Sequence, residues 1–416
     1  MKVSLFQQAP YRHLPPDFEK HHDSVVTTPY FGIVKPELMH QDLNAFISEL
    51  MLGARLGFDG VAVTEHSQSS YDVVPNPNLI GSILAYMTEQ EKLDVAIAVV
   101  GRSLGKSREP LRIAEEYAMI DQISGGRLIA GFPIGLSYDA NQNAGIPPID
   151  TRDRYYEGRA LVEKAWTATE PFAWNGRFSK YSHVNLWPRP IQQPSPPRWV
   201  PGVGNPKTMQ GVLERDDVYT YLSWFGPKLT GRRIFDRYWE IAQKIGKDIN
   251  PHRLAFLQVV LVAETDEQAE KDYRQHLETH FRTSLGSIPP TGLGLPGYIE
   301  RPGVEGLMRD PGDLGLAIRM RNINYSELVD SRVAIIGSPE TVRQQITEFV
   351  KEFRVGNLLV MTQVGSMPTE LTQKNIRLFA SEVLPHLQNI WLDEGWDNFA
   401  WPERLRGKKP AAKAAA

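Results

Sequence analysis

Residues 121–135 read DQISGGRLIAGFPIG: a glycine pair, an arginine, a short apolar run, and two further glycines at the end of that run. Upstream, Ile113, Tyr117 and Ile120, with Ala114 and Ala118 beside them, recur at three- and four-residue steps, which predicts a helix over 110–124 with one buried stripe. Gly125 and Gly126 then supply a left-handed stop, because glycine accepts positive φ without a Cβ clash. Leu128–Phe132 reads as the next strand, with Arg127 at its base and Gly131 and Gly135 at its carboxyl end. The first glycine pair is structural; the second group is placed to let a flat ligand or a phosphate approach the backbone. The order helix, glycine, strand also argues against a nicotinamide dinucleotide fold, whose G-x-G-x-x-G must follow a strand and open a helix.

The same alternation extends in both directions. β-rich runs occur at Val3–Gln7, Gly60–Thr64, Val95–Val100, Leu128–Phe132, Trp199–Val203, Val218–Leu222, Phe256–Val262 and Asn357–Thr362, with helix-period segments between most of them. Strands alternating with helices predict βαβ units and a parallel sheet. Eight such units are the number that closes a (β/α)8 TIM barrel, and a barrel of about 250 residues leaves room in this chain for insertions. An open doubly wound sheet is the competing arrangement. The reading is one domain over residues 1–402. Residues 283–315, dense in glycine and proline between the seventh and eighth strands, form a candidate lid insertion, and residues 403–416 a disordered tail rich in alanine and lysine.

Composition narrows the function. Of 416 residues, 41% are hydrophobic and 23% charged, the balance of a globular protein. A net charge of −3 gives no basic face for a nucleic acid backbone. Cysteine is absent, which removes disulfides, thiolate nucleophiles and zinc–thiolate sites. The N-terminal residues carry no apolar signal core, and no run approaches a membrane span of roughly 20 residues. A cytoplasmic protein is expected, with no nucleic acid and no membrane partner.

Taken together, PLRIAEEYAMIDQISGGRLIAGFPIG, GFDGVAVTEHS, WPRPIQQPSPPRWVPGVGNPKTM, LVAETDEQAEKD and IGSPETVRQQITEFV resemble, in the same order, the bacterial luciferase-like monooxygenases. The likeness runs from about Val3 to Leu387. It implies a barrel that binds reduced flavin at the carboxyl ends of its strands and uses O2. In some branches a deazaflavin, coenzyme F420, serves hydride transfer instead. It further implies a reduced FMN (FMNH2) cofactor delivered by a separate NAD(P)H:flavin reductase, and a homodimer.

The candidate site residues stand at strand ends. Glu65-His66 closes the second strand, so His66 faces the barrel mouth and, by the resemblance, is catalytic; Glu65 is placed as the residue orienting it. Ser67 departs from the second histidine frequent in the family. Ala98 and Val99, by the resemblance, lie along the isoalloxazine ring, through a peptide bond that strain could distort. Gly202, Gly204, Asn205 and Thr208 make a strand-to-helix turn suited to a phosphate, with N-capping as the plain structural alternative. After the fourth strand, Pro133-Ile134 replaces the thiol and arginine of the luciferases proper, which disfavours light emission. Tyr138, Asp139 and Asn141 are further candidates for flavin or substrate contact.

Other chemistries find less support. The HHD run, His21–Asp23, lacks the spacing of a barrel metal site, so no metal is expected. A G-x-S-x-G nucleophile elbow is absent. The resemblance therefore implies a flavin C4a-peroxide, shielded from water, that oxygenates a small, moderately apolar organic substrate, with His66 setting its protonation. Hydride transfer with F420 and a non-catalytic flavin-binding protein are the alternatives.

Overall fold

The computed structural model describes residues 1–22, 24–222, 232–285, 295 and 322–408. Eight parallel strands close into a ring: β1 (Lys2–Phe6), β2 (Gly60–Val63), β3 (Ala96–Val99), β4 (Leu128–Gly131), β7 (Arg198–Gly202), β8 (Val218–Tyr221), β9 (Leu254–Val262) and β11 (Asn357–Met361), which returns to β1. Helices flank it, and the architecture is the (β/α)8 barrel. The eight strands coincide with the eight runs expected from sequence.

Two elements were not anticipated. Between β4 and β7 the chain makes an antiparallel hairpin, β5 (Phe172–Asn175) with β6 (Lys180–Val184). Its outward, mixed residues bury little, so it carries no barrel-strand signal. A further parallel strand, β10 (Ala334–Gly337), pairs with Val259–Val262 at the end of the long β9, while β11 pairs with the first part of the same strand.

Alternation along each strand divides the core into two layers. Phe6, Ala62, Ala98, Ile129, Trp199, Leu359 and Met361 turn into the barrel. Leu5, Val61, Val63, Val99, Ala130 and Val360 turn outward against the helices. Both faces are buried, which is why the strands read as apolar runs rather than alternating ones.

The 121–135 stretch folds as its residues require. The helix Pro110–Ile123 ends where Gly125 and Gly126 adopt φ of +62° and +82°. The Gly126 amide donates to the Asp121 carbonyl at 2.8 Å. Arg127 is fully buried and staples the base of the barrel, donating to the carbonyls of Ser124, Leu93 and Val95 and to Glu89. At Gly131, however, a Cβ would meet the backbone of Val100 at 2.3 Å. The requirement there is strand-to-strand packing, not ligand approach, and the expected functional role of this glycine is corrected.

The carboxyl end of the chain closes the base of the barrel. Trp401 packs on Trp199, whose indole N–H donates to the Ala400 carbonyl, and Leu405 is buried behind them. Within the expected tail, 403–416, Leu405 is buried and supplies an apolar anchor that the alanine- and lysine-rich average conceals, while its described neighbours at 403–408 are exposed. Residues 409–416 lie outside the described residues. So does most of the candidate lid, 286–294 and 296–315. Leu295, described within it, donates its amide to Ser137 Oγ at 2.9 Å, beside the β4 loop.

Candidate active site

Because all eight ring strands are parallel, the segments after β2, β3, β4 and β7 emerge on one rim. His66 and the Gly202–Thr208 turn therefore share an end of the barrel, where barrel sites are built.

His66 follows β2 and is mostly buried. Its Nδ1 lies 3.0 Å from Asp139 Oδ2 and 2.6 Å from the Tyr138 hydroxyl. Asp139 and Tyr138 stand on a wide helical turn, Tyr138–Asn143, just beyond β4. The Ser67 amide donates to the other carboxylate oxygen of Asp139 at 2.8 Å, fixing it against the ring. An imidazole nitrogen carries one hydrogen or one lone pair, so facing a carboxylate it must carry the hydrogen. Nδ1–H then points to Asp139, which makes Nε2 the nitrogen that carries the lone pair in the neutral ring. Tyr138 can only accept from the ring, and its own hydrogen goes to Tyr71, with which it makes a short hydroxyl–hydroxyl bond. The stacked rings of His66 and Tyr138 hold the plane.

The electrostatics follow. Burial disfavours the imidazolium, but the charge and hydrogen bond of Asp139, with the charge of Asp72, outweigh it and raise His66 above the ordinary histidine value. Burial lifts both tyrosines well above the usual phenol range, so neither ionises at neutral pH. Burial also raises the Asp72 carboxyl, to about 7, against the opposing charge of His66.

The other expected residues take varied places. Glu65 is buried, yet its carboxylate turns away to the loop after β3: it accepts from the Ser103 amide at 2.7 Å and pairs with Arg102 at 3.0 Å and Lys106 at 2.9 Å. The role of orienting His66 belongs to Asp139. Ser67 Oγ accepts from Lys106 at 2.9 Å, so this serine braces the β3 loop where the family often has a second histidine. Glu65 and Asp139 also border a groove of about 510 Å³, whose other walls include Arg102, Lys106, Arg108 and Arg112.

Ala98 turns into the barrel while Val99 packs outward. Among the described residues the cis peptide bonds are Trp187–Pro188 and Gln193–Pro194, so Ala98 and Val99 are joined in the ordinary trans form. Tyr138 is fully buried under His66 and supports it rather than lining an open mouth. Asn141 Nδ2 donates to the Ile146 carbonyl and Thr151 Oγ1, both at 2.8 Å, tying its turn to the next helix.

At the β7 turn, Asn205 caps the helix Pro206–Glu214, accepting from the amides of Lys207 at 2.9 Å and Thr208 at 3.4 Å. The Gly204 amide donates to the Tyr219 hydroxyl at 2.7 Å, and a Cβ on Gly202 would meet the Tyr219 ring. The structural alternative accounts for these contacts; Lys207 is exposed and Thr208 half-buried. In the HHD run, His21 pairs with Asp17 and His22 packs on Phe18, while Asp23 lies outside the described residues. Among the described residues, no group of three or more His, Cys, Asp or Glu is arranged to hold a metal ion.

The family model of the luciferase-like monooxygenases matches residues 29–355, well over half of the chain. The chain belongs to the luciferase-like monooxygenase family. Within it, limonene 1,2-monooxygenase of Rhodococcus erythropolis is 25% identical over 363 residues, covering 84% of this chain and 81% of that protein. Among solved structures, the oxygenating constituent of 3,6-diketocamphane monooxygenase of Pseudomonas putida, in complex with FMN, superposes with a TM-score of 0.64 at 21% identity, over 92% of this chain and 98% of that one. The coenzyme F420-dependent tetrahydromethanopterin reductase of Methanopyrus kandleri superposes with a TM-score of 0.60 at 19% identity, over 83% and 95% of the two chains. The barrel fold is therefore shared by a protein solved in complex with FMN and by one that depends on coenzyme F420.

Proposed function

We propose that this luciferase-like protein is a flavin-dependent monooxygenase, the oxygenase of a two-component system. It would take reduced FMN from a separate NAD(P)H:flavin reductase and, with O2, place one oxygen atom in a small organic substrate and release the other as water. The observation that carries the reading is the His66–Asp139 pair on the rim of the barrel. When bound, reduced FMN supplies the two electrons that activate O2.

The chain's own residues supply the rest. His66, through Nε2, holds or releases the proton at the reacting oxygen, and Asp139 keeps that histidine a proton donor to higher pH. Tyr138 and Tyr71 fix the ring so that no reorganisation is needed when the proton moves. The fit to the cofactor's phosphate is partial. Asn205 already satisfies the amides of Lys207 and Thr208, so the phosphate would bind through the Thr208 hydroxyl and the Lys207 ammonium. Ala98, small and inward-facing, would border the ring system. Glu65, Gly202, Gly204 and Asn141 would act by shaping loops rather than by touching the cofactor.

A homodimer is supported by an apolar face. Leu79, Ile83 and Tyr86 on the helix Pro77–Gln90, with Met119 and Ile123 on the neighbouring helix Pro110–Ile123, are exposed at helical spacing. A cytoplasmic location follows from dependence on a reductase that draws on NAD(P)H. Among the described residues no helix is long and apolar enough to cross a membrane.

The test is anaerobic titration with reduced FMN and with reduced F420, followed by admission of oxygen. The reading expects FMN to bind and to return to its oxidised spectrum more slowly than free flavin, with O2 consumed. Tight F420 binding without O2 uptake would establish hydride transfer instead. Tight binding of oxidised FMN with no change in its reoxidation would mark a non-catalytic flavin protein.

A further inference from the structure

The inner rim between β11, β1 and β2 carries buried hydrogen-bond acceptors that no donor among the described residues reaches. Phe6 pairs with Met361 on one side and Ala62 on the other, and all three side chains enter the barrel. The pairing continues past the strands, since Gln7 Nε2 donates to Thr362 Oγ1 at 2.8 Å. Two residues beyond the inward set, the alternation brings Gln8, Gln363 and Thr64 to the same face. Gln8 is 4% and Gln363 0% exposed. The Oε1 of each is buried without a partner, and for Gln363 the amide nitrogen is fixed by its bond to the Gly365 carbonyl, so the orphan is an acceptor.

Asp72 adds a third. Its Oδ1 accepts from the amide of Ala9, the residue after Gln8, at 3.3 Å, and the Val74 amide also stabilises the carboxylate; its Oδ2 is buried with no donor in full hydrogen-bond geometry among the described residues, and the residue is 1% exposed. The two neighbouring acids are already matched, Glu65 by Arg102 and Lys106, and Asp139 by His66 and the Ser67 amide. No ion pair to Asp72 is formed among the described residues. Buried acceptors left without donors cost free energy that a donating ligand recovers.

We propose that Gln8, Gln363 and Asp72 form a recognition subsite for the N–H donors of an organic ammonium group, so that the substrate of this rim is an amine. Once Asp72 is ionised, its carboxylate and the fixed Gln363 oxygen present acceptors, and Gln8 can turn its own oxygen toward the same donors, which suits an ammonium. The burial-raised carboxyl of Asp72 gives up its proton when a cation arrives. Naming the ligand a substrate rests on the oxygenase reading above; its binding does not.

The test is calorimetric titration of the full-length protein near neutral pH with three probes of similar size: piperidinium, N,N-dimethylpiperidinium and tetrahydropyran. Piperidinium has charge and donors, the second charge alone, the third neither. Piperidinium is expected to bind roughly ten- to a hundredfold more tightly than either of the others, with proton release read from buffers of different ionisation heat. Asp72→Asn should abolish the proton release and weaken piperidinium by at least about tenfold, and Gln363→Leu should weaken it without touching the proton release. Equal affinity for the three probes, or unchanged binding in both variants, overturns the proposal. A loss of FMN affinity in both variants, with piperidinium binding unchanged, overturns it by assigning the acceptors to the flavin. The flavin titration is read separately, so failure of the oxygenase reading is distinguishable from failure of the amine subsite.

Discussion

His66 Nδ1 and Asp139 Oδ2 lie 3.0 Å apart although 73 residues separate them in the chain. Adjacent parallel strands lie between: β2 delivers the histidine, β4 the turn bearing the aspartate, and β3 holds the two strands at the right spacing. The pair fixes which nitrogen of His66 carries the hydrogen and helps raise its pKa above the ordinary histidine value.

His66→Ala should leave reduced FMN binding nearly unchanged and lower oxygenation by about a hundredfold or more, with hydrogen peroxide released in place of product. Product and peroxide measured side by side decide it. Unchanged turnover would remove His66 from the chemistry.

Asp139→Asn keeps a group that can accept from the Ser67 amide but loses the charge that raises His66. The His66 pKa should fall, moving the basic limb of the pH–activity profile to lower pH. A histidine ring titration followed by NMR reads this directly. Tyr138→Phe leaves the charge and should shift the titration less, while costing about 1 kcal/mol of stability from the lost hydroxyl bonds.

Asp72 governs stability against pH. Its folded carboxyl, raised by burial to about 7, keeps a proton that the unfolded chain releases near its ordinary value of 3.8. The stabilisation is therefore complete below the unfolded value and is lost as pH rises toward about 7. His66, also raised, adds a decline of the same sign as pH passes through its folded pKa. Asp72→Asn should flatten the fall in melting temperature between about pH 4 and pH 7. Parallel wild-type and variant curves would contradict the assignment.

Thr208→Ala should weaken FMN by roughly three- to tenfold, the scale of one hydrogen bond to a charged group. Quenching of flavin fluorescence gives the affinity. Because Asn205 still caps the helix, the melting temperature should not move.

Ile83→Asp puts a charge in the exposed apolar face formed with Leu79, Tyr86 and Met119. Sedimentation velocity should show wild-type dimers and variant monomers, with the barrel's circular dichroism retained. A monomeric wild type would leave that face without the proposed partner.

Much of the fold was legible in the residues because it depends on local periodicity. Each ring strand is an apolar run buried on both faces, and the glycine stop at Gly125-Gly126 follows from the positive φ it must adopt. The same local logic placed His66 at a strand end. It assigned Glu65 the wrong neighbour, since two carboxylates compete for that role and chain proximity favours the adjacent one. Tyr138 and Asn141 read as flavin or substrate contacts because polar side chains on a loop look alike until burial is known. The strand Ala334–Gly337 is as apolar as the others, but nothing local says that it pairs with the free edge at the end of β9.

The sequence by itself determined the eight βα units, the helix stops and the strand ends on which polar residues stand, because these follow from spacing and backbone preference. Only the tertiary structure decided that Asp139 faces His66, that Glu65 serves the β3 loop, that Gly131 answers to Val100, and that Trp401 and Leu405 close the base. Those outcomes depend on which distant groups the closed ring of strands brings within a few ångströms, and that distance is a property of the register, which no single segment encodes.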